Sequence, residues 1–147
     1  PQFARRQVEK LYLVRVQGQP ADDVFSCDAP ISTASGEIGS RTVDLESGRA
    51  ARTEFRVRQR HEDGTTLLEA RPLTGRTNQI RVHLWHLGLP VCGDAVYLLE
   101  NQLGDTQTLS LDDAPLCLHA WRIKFVHPLS KQSVEFEAPI PAWAALA

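Results

Sequence analysis

Arg71, Arg76 and Arg81 lie within one short stretch of the chain, which also carries turn-forming and apolar residues. The stretch reads RPLTGRTNQIRVHLWHLGLPVCGDAVY from Arg71 to Tyr97. Guanidinium groups suit bidentate recognition of carboxylates and phosphates, so their placement around a turn predicts a site for an anionic ligand. For Arg76 the alternative of a solvated, charged helix face stays open.

The middle of this stretch predicts one short helix, whose position decides where Arg81 lies. Thr77 is the predicted N-cap, and Gly88 followed by Pro90 ends the helix. The predicted inward-facing stripe consists of Ile80, His83, Leu84 and Leu87. Arg81 lies off this stripe near the first turn, where the helix dipole disfavours a cation. A cation in that position predicts a dedicated anionic partner for Arg81.

Other kinds of active site find less support in the sequence. His83 and His86 lie one helical turn apart, with Cys92 and His119 elsewhere, but no carboxylate completes a known metal-ligand spacing. We therefore interpret the histidine on the stripe as a buried, hydrogen-bonded core residue. The chain has no G-x-S-x-G nucleophile segment and no glycine-rich phosphate loop. The sequence predicts neither a metal ion nor a bound cofactor.

Strand-like patterns surround the predicted helix. Thr53, Phe55 and Val57 alternate with charged residues, and the turn at Asp63 and Gly64 predicts a hairpin. Further strands are predicted over residues 10–18, 116–128 and 133–139, with a long irregular loop or a weak hairpin over residues 19–48. The predicted fold class is α+β, with a mostly antiparallel mixed sheet and a few short helices.

The bulk composition is typical of a globular domain and restricts the function classes. The 147 residues fit one domain, and the net charge of -2 argues against indiscriminate binding of nucleic acid, although a local basic groove remains compatible with it. The three cysteines are widely spaced, which predicts reduced thiols and a cytoplasmic protein. No apolar run is long enough to cross a bilayer, so no membrane partner is predicted.

The stretch from Arg71 to Tyr97 closely resembles the signature P-x-T-G-R-T-H-Q-I-R-V-H-x-x-x-x-G-x-P-x-x-G-D-x-x-Y of the RluA-type RNA pseudouridine synthases. Three other segments resemble the family's patterns: VEKLYLVRVQG, GRAARTEFRV, and LCLHAWRIKFVHP followed by FEAPIP. The similarity extends from Val8 to Pro141. One difference is Asn78, where the family usually has His; both side chains form hydrogen bonds, so we expect the exchange to be tolerated.

The resemblance implies the pseudouridine synthase catalytic fold and its chemistry. These enzymes detach uracil from its ribose, rotate it and rejoin it through C5, without a cofactor, in structured RNA such as ribosomal or transfer RNA. By resemblance, Arg81 pairs with the catalytic Asp and Tyr12 stacks on the target base. The implied substrate-binding residues are Leu118, Arg76, Gln79 and Arg71. The row of Arg56, Arg58 and Arg60, predicted to share one hairpin face, is expected to hold RNA phosphates.

The family's H-R-L-D-x-x-T-S-G segment, which supplies the catalytic Asp, precedes the Tyr12 strand. We therefore expect that segment upstream of residue 1, and interpret residues 1–147 as the C-terminal portion of a catalytic domain. On this interpretation the isolated chain is an inactive fragment of an isomerase. A non-catalytic, truncated RNA-binding homologue is the alternative. A sheet left open at its edge also predicts self-association or pairing with a partner segment.

Overall fold

A six-stranded antiparallel sheet forms the framework of the molecule, in the order β2-β3-β4-β1-β5-β6. The computed structural model describes residues 8–36, 38–104 and 115–146. The strands are β1 (Val8–Gln17), β2 (Val24–Cys27), β3 (Thr53–Arg60), β4 (Thr65–Pro72), β5 (Leu118–Val126) and β6 (Ser133–Glu137). One α-helix, α1 (Gln79–His86), and two short 3₁₀ turns, Leu99–Asn101 and Ala142–Ala144, complete the described elements. The predicted α+β class is confirmed.

Strand β1 lies at the centre of the sheet and contributes side chains to both faces. Val14 and Val16 pack with Ile80 and Leu84 of α1 in one core cluster, while Leu13 packs on the opposite face. The opposite face is closed by Leu67, Trp121 and Ala144. Each fully buried aliphatic side chain contributes about 1.5–3 kcal/mol through removal from water. The helix is therefore fixed against the sheet by apolar contacts at both ends of its buried face.

The helix starts one residue later than predicted. Thr77 is not the N-cap; that position is taken by Asn78, which has a φ of 58° and makes no side-chain capping hydrogen bond. Asn and His both enter this left-handed region more readily than most residues. The backbone conformation thus gives a physical reason why Asn78 can occupy a position where the family usually has His.

The end of the helix agrees with the prediction. Gly88 has a φ of 77°, its N–H donates to the Trp85 carbonyl, and the Leu89 N–H donates to the Leu84 carbonyl. These two bonds form a Schellman motif, for which glycine is favoured because it has no Cβ. Leu87, predicted on the buried stripe, lies beyond the helix and is 40% exposed.

Val82 of α1 is buried in a second apolar cluster, although it was not part of the predicted inward-facing stripe. Val82 is fully buried against Ile31, Val96 and Tyr97, which come from the loops on the far side of α1. The helix is therefore covered on two sides, and its hydrophobic pattern was too short to predict the second one. The loop predicted over residues 19–48 also contains one short strand, β2.

The arginines predicted to share one face of the β3–β4 hairpin lie on both faces. The turn at Asp63 and Gly64 is present, but a bulge between Val57 and Gln59 shifts the alternation of β3. Arg60 then lies opposite Thr66, on the face of Val57, whereas Arg58 contacts Glu69 and the Trp121 ring on the other face. The prediction of one shared face was wrong because a bulge adds a residue to one strand and reverses the side-chain directions beyond it.

The strand order also identifies the two open edges of the sheet. Strands β2 and β6 form the two sheet edges, and pairing of an edge with another segment stays a prediction.

Cys27, Cys92 and Cys117 are free, as predicted. Among the described residues no helix has the length and apolar character needed to cross a bilayer.

Candidate functional site

A cavity of about 400 Å³ opens between β1, the turn after β4, the start of α1 and the segment before β5. Its size falls in the range of small-molecule sites. Three of its lining side chains are cationic, namely Lys10, Arg76 and Arg81. The other lining residues are Tyr12, Pro72, Thr74, Gly75, Asn78, Gln79, Ile80, Leu116 and Leu118. No Asp or Glu is among these residues, so the wall that the described chain provides is positively charged.

Tyr12 reaches this cavity from the middle of β1. Its Cα pairs with Ala70 of β4 and Ala120 of β5, so small neighbours leave room beside the ring. A bulge between Leu11 and Tyr12 changes the register of β1 against β5 at this point. Bulges commonly re-aim a side chain next to a site. An aromatic ring is thus presented at the mouth of a cationic cavity.

Arg81 forms a bidentate ion pair with Asp94, a residue of the loop after the helix. The Nε of Arg81 donates to Asp94 Oδ2 at 2.8 Å, and its Nη2 donates to Oδ1 at 2.7 Å. The side chain of Arg81 is 14% exposed and that of Asp94 is 0% exposed. Burial by itself lowers the pKa of Arg81, but the Asp94 carboxylate outweighs it and raises that pKa. Arg81 thus has an anionic partner within the chain, while the pairing with a catalytic Asp that the resemblance implies stays a prediction.

The loop that carries Asp94 is shaped for this pairing. Asp94 Oδ1 also accepts hydrogen bonds from the Val96 and Tyr97 N–H groups at 2.9 and 3.1 Å. Gly93, with a φ of 78°, precedes it, and a Cβ at Gly93 would collide with the Pro115 carbonyl. A glycine is required because the turn needs both a positive φ and a close backbone approach.

The ring of Tyr97 also contacts Arg81. The Arg81 guanidinium carbon lies 5.0 Å from the centre of the Tyr97 ring, a cation–π contact. The Tyr97 hydroxyl accepts from the Arg41 N–H at 2.8 Å and donates to the Arg41 carbonyl at 3.0 Å. Arg81 is therefore held by a carboxylate and an aromatic ring, while its Nη1 makes no hydrogen bond to a described residue.

Gln79 organises the turn that forms one wall of the cavity. Its Oε1 accepts from the Thr74 hydroxyl at 2.6 Å and from the Arg76 N–H at 3.1 Å. Its Nε2 donates to the Arg52 carbonyl and to the Thr53 hydroxyl, both at 2.9 Å. All four hydrogen-bonding positions of this buried amide are thus used by the protein.

The hydrogen bonds continue from Thr53 to His83, which is fully buried. His83 Nε2 lies 2.8 Å from the Ala29 carbonyl and must donate to it, so Nδ1 accepts from the Thr53 hydroxyl at 2.9 Å. Burial lowers the pKa of His83. The histidine is the hydrogen-bonded core residue that the sequence predicted. Within the described ranges no group of three or more His, Cys, Asp and Glu residues is arranged to hold a metal ion.

Most residues predicted for the site converge on the cavity, but Arg71 does not. Tyr12, Arg76, Gln79, Arg81 and Leu118 all line it. Arg71 borders a separate cavity of about 170 Å³, and its Nη2 lies 3.4 Å from Glu9 Oε1. The alternation of β4 explains this position, because Ala70 shares a face with its partner Tyr12 and the next residue, Arg71, has its side chain on the opposite face.

Asp94 and Tyr97 were not predicted as site residues from the sequence, although both contact Arg81. Both lie in the signature segment G-D-x-x-Y, in the same stretch as Arg81. The unfavourable dipole position of Arg81 implied a carboxylate partner, and an acidic residue beside a turn-forming glycine was the available signal. Choosing Asp94 over the other acidic residues required the loop to be folded back against α1.

Comparisons with known proteins place the sequence and the sheet in one family. A profile of the family described as RNA pseudouridylate synthase matches residues 1–86. The chain is 37% identical over 140 residues to the Bacillus subtilis protein named "Uncharacterized RNA pseudouridine synthase YlyB", covering 95% of this chain and 43% of that protein. It is 34% identical over 141 residues to ribosomal large subunit pseudouridine synthase C of Vibrio cholerae, covering 96% and 43%.

A solved structure shows the same fold. The human protein titled RNA Pseudouridylate Synthase Domain Containing 1 superposes with a TM-score of 0.72 and 25% sequence identity, covering 95% of this chain and 58% of that one. The chain therefore spans less than half the length of the two bacterial relatives and somewhat more than half of the human structure. The match to the family profile covers more than half of the chain. The chain belongs to the RNA pseudouridylate synthase family.

Proposed function

We propose that this chain forms the uridine-binding part of an RNA pseudouridine synthase, which converts specific uridines in structured RNA to pseudouridine. The observation that carries the proposal is the presence of the Tyr12 ring and the Arg81 guanidinium in one cavity of about 400 Å³. An enzyme that acts on a base within RNA takes it out of its stack and needs a pocket of this kind. The substrate class is ribosomal or transfer RNA, and the compartment is the cytoplasm.

Recognition of the base rests on stacking and on apolar contact. A flipped uracil lies against the Tyr12 ring, and stacking of a base on an aromatic side chain is worth about 1–3 kcal/mol. Leu118 and Ile80 line the same cavity and exclude water around the ring. Gln79 acts by holding the turn at Thr74 and Arg76, since its amide has no hydrogen-bonding position left for the base.

Arg81 positions the catalytic carboxylate. We assign that carboxylate to a H-R-L-D segment upstream of residue 1, so that residues 1–147 are the C-terminal portion of the catalytic domain. Asp94 does not fit the role, because its side chain is 0% exposed and it already accepts bonds from Arg81, Val96 and Tyr97. Arg81 lines a cavity whose described lining contains no carboxylate, and its Nη1 supplies a charged donor for the incoming aspartate. A cation beside the aspartate keeps it ionised.

The reaction exchanges one bond of the nucleoside for another. The bond between N1 of uracil and C1′ of ribose breaks, a bond from C5 to C1′ forms, N1 gains a proton and the C5 proton is released. The residues of this chain stack the base, orient it and hold the carboxylate, and the proposed mechanism uses no cofactor.

The test uses the intact protein and RNA labelled with tritium at C5 of uridine, because each turnover releases that hydrogen to water. We expect Arg81→Ala to lower turnover by about 100-fold or more, the loss typical of removing a preorganised charged donor, while RNA affinity changes much less. Arg60→Ala is the control for the loss of one positive charge, because Arg60 pairs with Asp23 at the surface and does not line this cavity.

Two results would overturn the proposal. Absence of tritium release from any ribosomal or transfer RNA by the intact protein would exclude isomerisation. Equal losses of turnover and RNA affinity in Arg81→Ala would show that Arg81 binds RNA rather than positions the catalytic group. The isolated chain should release no tritium, because it lacks the carboxylate assigned to the upstream segment.

A further inference from the structure

A second, smaller cavity of about 170 Å³ lies beside the first one, and the two share Gly75 and Arg76. We call it the arginine cavity because its lining contains Arg41, Arg49 and Arg76. The remaining lining residues are Ile31, Ser32, Thr33, Gly75 and Thr77. The cavity joins the loop between β2 and β3 to the turn before α1, and none of its lining residues is acidic.

The three arginines of this cavity have no carboxylate partner among the described residues. Among the described residues, the ion pairs of arginine involve Arg15, Arg58, Arg60, Arg71, Arg81 and Arg122. None of the three arginines of the arginine cavity is in that set. Three guanidinium groups around one small cavity repel one another unless an anion lies between them.

Arg41 gives a second, independent indication of a missing anion. Its Nη1 is buried and has no hydrogen-bond partner among the described residues. A buried donor left without a partner costs about 1–3 kcal/mol, and more when it is charged. The backbone of Arg41 is fixed on both sides by the Tyr97 hydroxyl, so the side chain cannot leave the cavity by a shift of the main chain without breaking these bonds.

Arg76 connects the two cavities. Its Nε donates to the Ala50 carbonyl at 2.8 Å, which fixes the guanidinium plane and leaves both terminal nitrogens for a ligand. The hydroxyl of Thr77 adds an uncharged donor to the lining. A phosphodiester shares one negative charge between two non-bridging oxygens, and guanidinium groups bind such oxygens in bidentate pairs, so it matches this set of donors.

We propose that the arginine cavity binds a phosphodiester of the RNA strand next to the target uridine. This inference rests on the proposed function for the identity of the polyanion. A nucleotide stacked on Tyr12 has its flanking phosphates just outside the first cavity, where Arg76 lies. Phosphate contacts of this kind fix the register of the RNA without reading its sequence. Tyr97, which supports Arg81 with its ring and Arg41 with its hydroxyl, couples the two cavities mechanically.

The test measures the affinity of the intact protein for a uridine-containing RNA hairpin over a range of salt concentrations. Arg49→Gln is the first variant, because Arg49 is exposed and its replacement leaves the core intact. Arg60→Gln is the control: it removes the same charge at the far end of β3, where the guanidinium is paired with Asp23 and does not line the arginine cavity. Arg41→Gln is the second variant.

We expect Arg49→Gln to weaken binding at least about threefold at low salt, and to reduce the slope of log K against log salt by about 0.7, the value for one lost single-strand phosphate contact. Arg60→Gln should change neither. The cavity proposal is overturned if Arg49→Gln and Arg60→Gln have the same affinity and the same slope. Arg49→Gln decides the matter alone if Arg41→Gln fails to fold.

Tritium release measured on the same samples separates this proposal from the proposed function. If the variants differ in affinity as expected but the protein isomerises no uridine, the phosphate site stands and the proposed function fails. If the protein isomerises uridine while Arg49→Gln and Arg41→Gln match the control in affinity and slope, the proposed function stands and the phosphate site is excluded.

Discussion

Arg58 and Arg60 of the β3–β4 hairpin share one chemistry with the arginines of the arginine cavity but have opposite surroundings. On the hairpin, Arg58 pairs with Glu69 and Arg60 pairs with Asp23, so their charges are used within the protein. Arg41, Arg49 and Arg76 border a cavity without any acidic lining residue. The comparison shows that a cluster of arginines in the sequence does not by itself indicate a ligand site, since the pairing in the folded state decides it.

Arg81 represents a third situation, in which a carboxylate partner is itself buried. An exposed ion pair contributes about 0–1 kcal/mol, because water already solvates both charges. Removing one member of a buried pair costs about 3–5 kcal/mol, because the other charge stays behind without solvent. The Asp94 pair therefore orders Arg81, whereas the more exposed Arg60–Asp23 pair mainly neutralises surface charge.

The largest expected effect follows from that contrast. Asp94→Ala leaves the Arg81 guanidinium, 14% exposed, without its partner, and should lower the free energy of unfolding by about 3–5 kcal/mol. Urea denaturation of the variant and the parent chain measures the difference. A loss below about 1 kcal/mol would mean that the Arg81–Asp94 pair stabilises the fold no more than an exposed ion pair such as Arg60–Asp23.

The next largest effect is a loss of stability on acidification that arises from the buried His83. Because burial lowers the pKa of His83 below its ordinary value, the folded chain binds this proton less readily than the unfolded chain. Its contribution to stability is complete above the ordinary histidine pKa of about 6.5 and decreases as the pH falls below that value.

Thermal or urea unfolding between neutral and mildly acidic pH checks this prediction. His83→Gln cannot titrate there, so its stability should fall less steeply on acidification than that of the parent chain. The other four histidines are the same in both proteins, and the difference between the two curves isolates His83. Parallel curves would show that the folded and unfolded chains bind this proton equally.

The effect of replacing Asn78 on the stability of the chain should depend on whether the new side chain tolerates a left-handed backbone conformation. Asn78→Val places a β-branched residue at a φ of 58° and should cost about 1–2 kcal/mol, the penalty of a left-handed conformation. Asn78→His should be close to neutral, because His also tolerates this region. Chemical denaturation of both variants gives the comparison. Equal losses in the two would mean that the amide group itself is required.

The smallest effect is expected at the hairpin. Asp23→Ala removes the carboxylate that pairs with Arg60, whose own side chain is 34% exposed while that of Asp23 is 81% exposed. The free energy of unfolding should change by less than about 0.5 kcal/mol. A change as large as that of Asp94→Ala would contradict the division between surface pairs and ordering pairs.

Local patterns were sufficient to predict much of the framework. The alternation of Thr53, Phe55 and Val57, the turn at Asp63 and Gly64, and the helix that ends before Gly88 are all present. These features depend on residues close together in the chain, so the sequence contains the information directly. The helix start was displaced by one residue because Asn78, rather than Thr77, adopts the non-helical N-cap conformation.

The arrangement of the site depended on segments that are distant in the chain. The sequence by itself determined the α+β class, the family and the need of Arg81 for an anionic partner, because each depends on local periodicity, a contiguous signature or the dipole of one helix. Only the tertiary structure decided that Asp94 is the partner, that a bulge separates Arg58 from Arg60, and that Arg41 meets Arg76. Those outcomes require loops and strands to fold against one another, which residue types and spacing do not specify.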